Sequence, residues 1–284
     1  MRINIAKSAG FCSGVKRAIS IAFETARNKK SVCMLGDIVH NEDVTRNIQR
    51  IGVQKISKLG KGRDKILLIR AHGAPQKIIF EAIKSGYEIA DATCPMVKEI
   101  HKIAKEKEKE GCDIIVIGDK NHEEVVGIIG QLKRKALVIQ NINNTRADRL
   151  KNKKLCVLVQ STQNSEKVLS LVDHLRKINP ALEFFNTICR PTRIKQAEIK
   201  EMPAQNDVMI IIGSRRSANT RRLYEISRSI NKNTYWVQSG KDVKKSWFEN
   251  KKSVGITAGA STPDYTTKSV VSCITKLVTK KKSG

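Results

Sequence analysis

Three cysteines, Cys12, Cys94 and Cys189, each stand 28 residues before a polar residue that follows an apolar run: His40, His122 and Ser217. The runs are VCMLG at 32–36, IIVIG at 114–118 and VMIIIG at 208–213. A second apolar run follows in each third and again ends in a polar loop, at Ala71-His72-Gly73, Gln160-Ser161-Thr162 and Ala258-Gly259-Ala260-Ser261. The distances from cysteine to second loop are 60, 67 and 72, counted to His72, Ser161 and Ser261, so the copies drift but keep their order. One thiol per repeat suggests a metal site shared by three copies. Three thiolates leave a tetrahedral zinc short of one ligand, which a histidine or water would have to supply. They also fit a [4Fe–4S] cluster with one iron left open, a Lewis acid able to hold a substrate oxygen. Spacing favours iron–sulfur and leaves zinc open.

The polar loops lie where an apolar run gives way to a helical pattern, so backbone N–H groups and a helix dipole face outward together. That arrangement binds phosphate. Capping explains Ser217, Asn219 or Ser261 taken singly; six such loops beside three thiols point to an anionic ligand. His40, His72 and His122 occupy these loops, whereas His101 and His174 sit in charged helical stretches and read as ordinary helix residues. Glu123 and Glu124 follow His122, and a carboxyl enclosed there could deliver a proton. Spacing does not say which of the two points inward.

The elements that must carry these loops are short Ile/Val-rich runs alternating with helices, as after Cys12 (Val15, Ala18, Ile19, Ala22) and Cys94 (Val97, Ile100, Ala104). This alternation predicts α/β units with small parallel sheets, whose ligands collect beyond the carboxyl ends of the strands. Domain boundaries are placed to give 1–95, 96–188 and 189–284. A repeat of about 90 residues suits small stacked domains better than a solenoid. Cys33, Cys112, Cys156 and Cys273 lie inside apolar runs and read as buried thiols. No apolar stretch reaches the roughly 18 residues of a membrane span, and no signal-peptide core opens the chain, so it reads as cytoplasmic, where disulfides are rare. The net charge of +27 divides as +9, +5 and +13 at the cysteine boundaries. It suits acidic partners or a solvated surface. Only 4% of residues are aromatic, so nucleic acid is disfavoured as a partner.

Taken together these segments resemble the LytB/IspH family of 4-hydroxy-3-methylbut-2-enyl diphosphate reductases. The resemblance runs from GFCSGV at 10–15 through Val39-His40-Asn41, Ala71-His72-Gly73, DATCP at 91–95 and NHEEV at 121–125. It continues in Gln160-Ser161-Thr162, NTIC at 186–189, SANT at 217–220 and TAGASTPD at 257–264. It implies a trefoil of three pseudo-equivalent α/β domains around one central [4Fe–4S] cluster held by Cys12, Cys94 and Cys189, with one iron open. It implies an allylic diphosphate gripped by His40, His72, His122, Ser217, Asn219 and Ser261, with Thr162, Thr192 and Ala218 lining the same site. The family's proton donor falls on Glu124, and Ser161 takes the place of a threonine near the substrate hydroxyl. The implied reaction is reductive removal of that hydroxyl to give isopentenyl and dimethylallyl diphosphate, last in the methylerythritol phosphate route. Its electrons would come from an acidic ferredoxin or flavodoxin, itself served by a reductase. Arg190-Pro191, Arg216, Ala218 and Val126 depart from the family's pattern, and Lys195 stands in place of an arginine before Gln196. Two other readings remain open on sequence, a non-redox iron–sulfur hydro-lyase and a basic nucleic-acid-binding protein.

Overall fold

The computed structural model describes residues 1–27, 30–144 and 150–279. Apolar runs of four to six residues form the central strands. β2 (Ser31–Leu35), β4 (Lys65–Ile69), β6 (Asp113–Ile117), β8 (Leu155–Val159), β10 (Val208–Ile212) and β12 (Ser253–Ala258) are buried along most of their length. Continuous rather than alternating apolar sequence marks strands covered on both faces, as parallel sheets require. Outer strands are β1 (Arg2–Ile5), β3 (Gln54–Ile56), β5 (Glu88–Asp91), β7 (Leu137–Ile139), β9 (Glu183–Phe184) and β11 (Thr234–Val237). They complete three four-stranded sheets of order β3-β2-β4-β5, β7-β6-β8-β9 and β11-β10-β12-β1. Every pairing is parallel. The chain is thus a mixed α/β protein with three small parallel sheets built to one order.

The helices are α1 (Ser13–Ala26), α2 (Glu42–Arg50), α3 (Gln76–Lys84), α4 (Pro95–Lys109), α5 (Glu123–Ile129), α6 (Ser165–Ile178), α7 (Arg190–Glu201), α8 (Ala218–Ile230) and α9 (Asp264–Thr279). Successive residues of a strand point to opposite faces, and the cores follow that rule. On β6, Ile114 and Val116 join Ile100 and Ala104 of α4 and Val125 and Ile128 of α5. Ile115 and Ile117 join Val168, Leu171, Val172 and Leu175 of α6 on the other side. On β10, Val208, Ile210 and Ile212 pack with Val270 and Ile274 of α9, and Met209 and Ile211 with Ile199 of α7 and Leu223 of α8.

Two compact units result. One comprises 1–13, 40–44 and the chain from 190 onward; the other comprises 14–39 and 45–189. The first contains the β11-β10-β12-β1 sheet, the second the other two. Strand β1 pairs with β12 in register Arg2↔Ser253 to Ile5↔Ile256, so the first residues of the chain share a sheet with its last third. Among the described residues, no helix is long and apolar enough to cross a membrane.

Candidate active site

The common sheet order fixes which loop residues are equivalent. The inner strands pair as Met34↔Leu68, Ile117↔Val159 and Ile212↔Ala258. Five residues beyond the ends of β2 (35), β6 (117) and β10 (212) stand His40, His122 and Ser217, and seven beyond stand Glu42, Glu124 and Asn219. Three beyond β4 (69), β8 (159) and β12 (258) stand His72, Thr162 and Ser261. Ser161 therefore matches Ala71 and Ala260, a register that the drifting loop lengths concealed.

In the unit carrying 45–189, His122 caps α5, its Nδ1 accepting from the Glu124 N–H at 3.1 Å. This turn drives Glu124 inward, where it is 2% exposed. Its carboxylate accepts the Ser161 N–H at 2.5 Å and the Ser161 hydroxyl at 2.9 Å. Glu123 turns the other way, 3.6 Å from Arg70. The choice between the two glutamates is thus made by helix phase. The His72 and His122 rings meet edge-on at 5.5 Å. Gln160, fully buried, accepts from the Asp119 N–H and donates to Thr162 Oγ1, tying the two strand-end loops together.

His101 is a structural residue of its helix, as expected, but it faces inward. It is buried on α4 against the His72 loop, and a Cβ on Gly73, whose φ is +75°, would lie 2.7 Å from its ring. Gly127 of α5 faces the same imidazole. Burial, with help from Lys105 and against Asp91, pushes its pKa down to about 4, so it is neutral at physiological pH. The signal was present in the helical phase of Val97, Ile100, His101 and Ala104, but the flanking charges obscured it.

In the other unit, His40 is buried and its carbonyl accepts the Ser261 hydroxyl at 3.1 Å. Ser217 caps α8, accepting from the Thr220 N–H at 3.3 Å. Ala218 and Asn219 follow in the first turn, both buried. Asn219 is 4% exposed, yet neither its Oδ1 nor its Nδ2 has a hydrogen-bond partner among the described residues. An orphaned amide at a helix N-terminus is the kind of group an anionic ligand would complete. Ser214 Oγ accepts from the Arg216 N–H and donates to Glu42 at 2.9 Å, fixing this loop to the His40 segment. Thr192 is buried on α7, 1% exposed. Lys195, on the same helix, is 2% exposed and was not among the site residues expected from sequence.

The three repeat cysteines share one address. Each follows the edge strand of a sheet and directly precedes a helix. Each N–H is held by the carbonyl two residues past the neighbouring strand: Cys12 by Ala260 at 3.1 Å, Cys94 by Ala71 at 3.0 Å, Cys189 by Ser161 at 3.1 Å. All three are half-buried, and no disulfide occurs among the described residues. Cys33, Cys112 and Cys156 are buried as expected; Cys273 is only partly so. Burial pushes the Cys156 thiol up to about 12 and Cys112 upward as well, which removes both from thiolate chemistry at neutral pH. Three accessible thiols in matching loops fit the donor set of an iron–sulfur group.

The LytB protein family model matches residues 3–275. The chain belongs to the LytB family. Among its relatives, the 4-hydroxy-3-methylbut-2-enyl diphosphate reductase of Aquifex aeolicus is 36% identical over 279 residues, covering 97% of this chain and 96% of the relative. That of Geobacter metallireducens is 35% identical over 284 residues, the full length of both. Solved LytB-family structures agree. The reductase described as the terminal enzyme of the non-mevalonate pathway has 36% identity and a TM-score of 0.72, over 97% of this chain and 100% of that one. The Plasmodium falciparum reductase has 30% identity and a TM-score of 0.91, over 96% and 88%. Neither the hydro-lyase reading nor nucleic-acid binding finds support in these relatives.

Proposed function

We propose that this LytB-family chain is the 4-hydroxy-3-methylbut-2-enyl diphosphate reductase of its cell, an oxidoreductase that converts its substrate to isopentenyl and dimethylallyl diphosphate. The observation that carries the reading is Glu124, buried and held at both oxygens by Ser161. Reductive dehydroxylation consumes two electrons and two protons and releases water, so it needs an acid placed against the departing hydroxyl. Glu124, fixed in place by Ser161, is the group positioned to give that proton. The Ser161 hydroxyl, already bonded to Glu124, orients the substrate alcohol toward it.

The diphosphate is gripped by His40, His72, His122, Ser217, Asn219 and Ser261, with Thr162, Thr192 and Ala218 shaping the surroundings. The first turn of α8 supplies N–H groups and the positive end of a dipole. Fixing the diphosphate fixes the distant hydroxyl in register, which converts binding energy into orientation. Cys12, Cys94 and Cys189 would hold one [4Fe–4S] cluster per chain, which when bound would relay the electrons and offer a Lewis-acidic iron for the C–O bond. Electrons would arrive from an acidic ferredoxin or flavodoxin, toward which a surface of net charge +27 steers association. A reducing cytoplasm suits three accessible thiols.

The test is oxidation of a reduced viologen by anaerobically purified holoprotein on addition of the substrate. The wild type oxidises the dye, and Glu124→Gln slows turnover by about 10²–10⁴-fold, the usual contribution of a positioned acid. Protein carrying full iron and sulfide that leaves the dye reduced would sink the reading.

A further inference from the structure

Charged side chains are almost never fully buried unless they are paired, and Lys195 is 2% exposed. Its ammonium donates to two backbone carbonyls, those of Ser8 and, at 3.1 Å, Ala258. One helical turn on, Glu198 accepts the Ser8 N–H at 3.2 and 3.1 Å, one to each carboxylate oxygen, and the Ser8 hydroxyl as well. Helix α7 therefore grips one residue from both sides, the ammonium on its carbonyl and the carboxylate on its amide and hydroxyl.

Ser8 lies four residues before Cys12 (8 to 12). Between them the chain is tied at Ala9 N–H to Ala6 O and at Gly10 N–H to Ala258 O, the carbonyl that Lys195 also holds. Cys12 itself is tied to Ala260. Ser8, Gly10 and Cys12 are thus tied to α7, to the last residue of β12 and to Ala260 just beyond it. Burial pushes the Lys195 pKa down to about 8, with Cys12 and Glu198 acting in the opposite direction.

Packing alone does not explain such a group. Replacing a buried ion by an apolar side chain of similar volume is often neutral or stabilising, so methionine would fill this space at less cost. What methionine would not do is hold the Ser8 and Ala258 carbonyls. We propose that Lys195 is a positioning residue for the Cys12 loop: with Glu198 it fixes the backbone from Ser8 to Cys12, so that the cysteine keeps its metal. The inference rests on Cys12 being a cluster ligand.

The experiment uses anaerobically purified holoprotein and follows iron loss to an excess of a ferrous chelator, together with the midpoint potential of the bound cluster. Lys195→Met loses iron about tenfold faster, the lower end of the range for groups that orient metal ligands. Its potential moves to more negative values because a nearby positive charge is gone. Lys195→Arg, which keeps charge and donors, stays close to wild type in both. Glu198→Gln leaves the ammonium in place but weakens the grip on Ser8, so it speeds iron loss without moving the potential. It supplies the test where Lys195→Met fails to fold. Wild-type rates and potentials in Lys195→Met, even with a lower melting temperature, would reduce Lys195 to a packing residue and overturn the proposal, as would unchanged iron loss in Glu198→Gln. A wild-type protein that takes up no iron would instead refute the cluster reading and this inference with it.

Discussion

Asn219 offers the sharpest test of the proposed phosphate cradle, because its two effects have opposite signs. It is the second residue of α8, 4% exposed, with both amide atoms lacking partners among the described residues. Leaving a buried polar group unsatisfied costs roughly 1–3 kcal/mol. Asn219→Leu keeps the number of heavy atoms and removes both orphaned groups, so the ligand-free protein should gain about 1 kcal/mol, allowing for the change from planar to tetrahedral shape. That corresponds to a melting temperature higher by about 2–4 °C. The same change deletes a hydrogen bond to a charged ligand, worth about 1.5–3 kcal/mol. Affinity for inorganic pyrophosphate should therefore fall by roughly 10- to 100-fold. Scanning fluorimetry of the holoprotein with and without pyrophosphate, and calorimetric titration, read the two effects separately. Ser217→Ala is the contrast: its hydroxyl caps α8, so its loss lowers both stability, by about 1 kcal/mol, and affinity. An Asn219→Leu protein that melts lower and binds pyrophosphate as the wild type does would refute the assignment of Asn219 to the ligand.

Two further outcomes follow from the geometry. His101 is held neutral down to a pKa of about 4, whereas an unfolded histidine titrates near 6.5. As pH falls from about 6.5 to about 4 the unfolded chain takes up a proton that the folded chain does not, so stability present above 6.5 is lost, by about 3 kcal/mol in all at 1.4 kcal/mol per pH unit. Urea midpoints measured across that range should fall less steeply in His101→Leu; equal slopes would show that His101 does not titrate as its burial requires. Iron and sulfide analysis after anaerobic reconstitution should give a loss in Cys12→Ser, Cys94→Ser and Cys189→Ser. No such loss should appear in Cys33→Ala, Cys112→Ala or Cys156→Ala, and retention of a full cluster by Cys94→Ser would exclude it as a ligand.

Much of the candidate site was written along the chain. The 28-residue interval between cysteine and polar loop is conserved among the three repeats because β2, β6 and β10 all end five residues before His40, His122 and Ser217. Strand length and turn length are local quantities, and a repeated local quantity survives in the sequence as a repeated number. Runs such as LCVLV at 155–159 fixed the strands for a similar reason, since a strand covered on both faces must be apolar at every position.

What the chain could not express alone was direction and partnership across long separations. Glu123 and Glu124 are chemically identical neighbours, and only the phase of α5 against β8 buries one of them on Ser161, 37 residues away. His101 looked like a residue of a charged helix until the glycines at 73 and 127 opened space for its ring. Strand β1 found its partner in β12, at the far end of the sequence. Lys195, noted in the sequence only as a replacement for an arginine, proved to be buried beneath the first cysteine loop. In each case the deciding term is desolvation or a hydrogen bond between residues distant in sequence. Residue spacing picked out the candidate groups, and tertiary packing decided which of them are buried and hydrogen-bonded and which stay accessible.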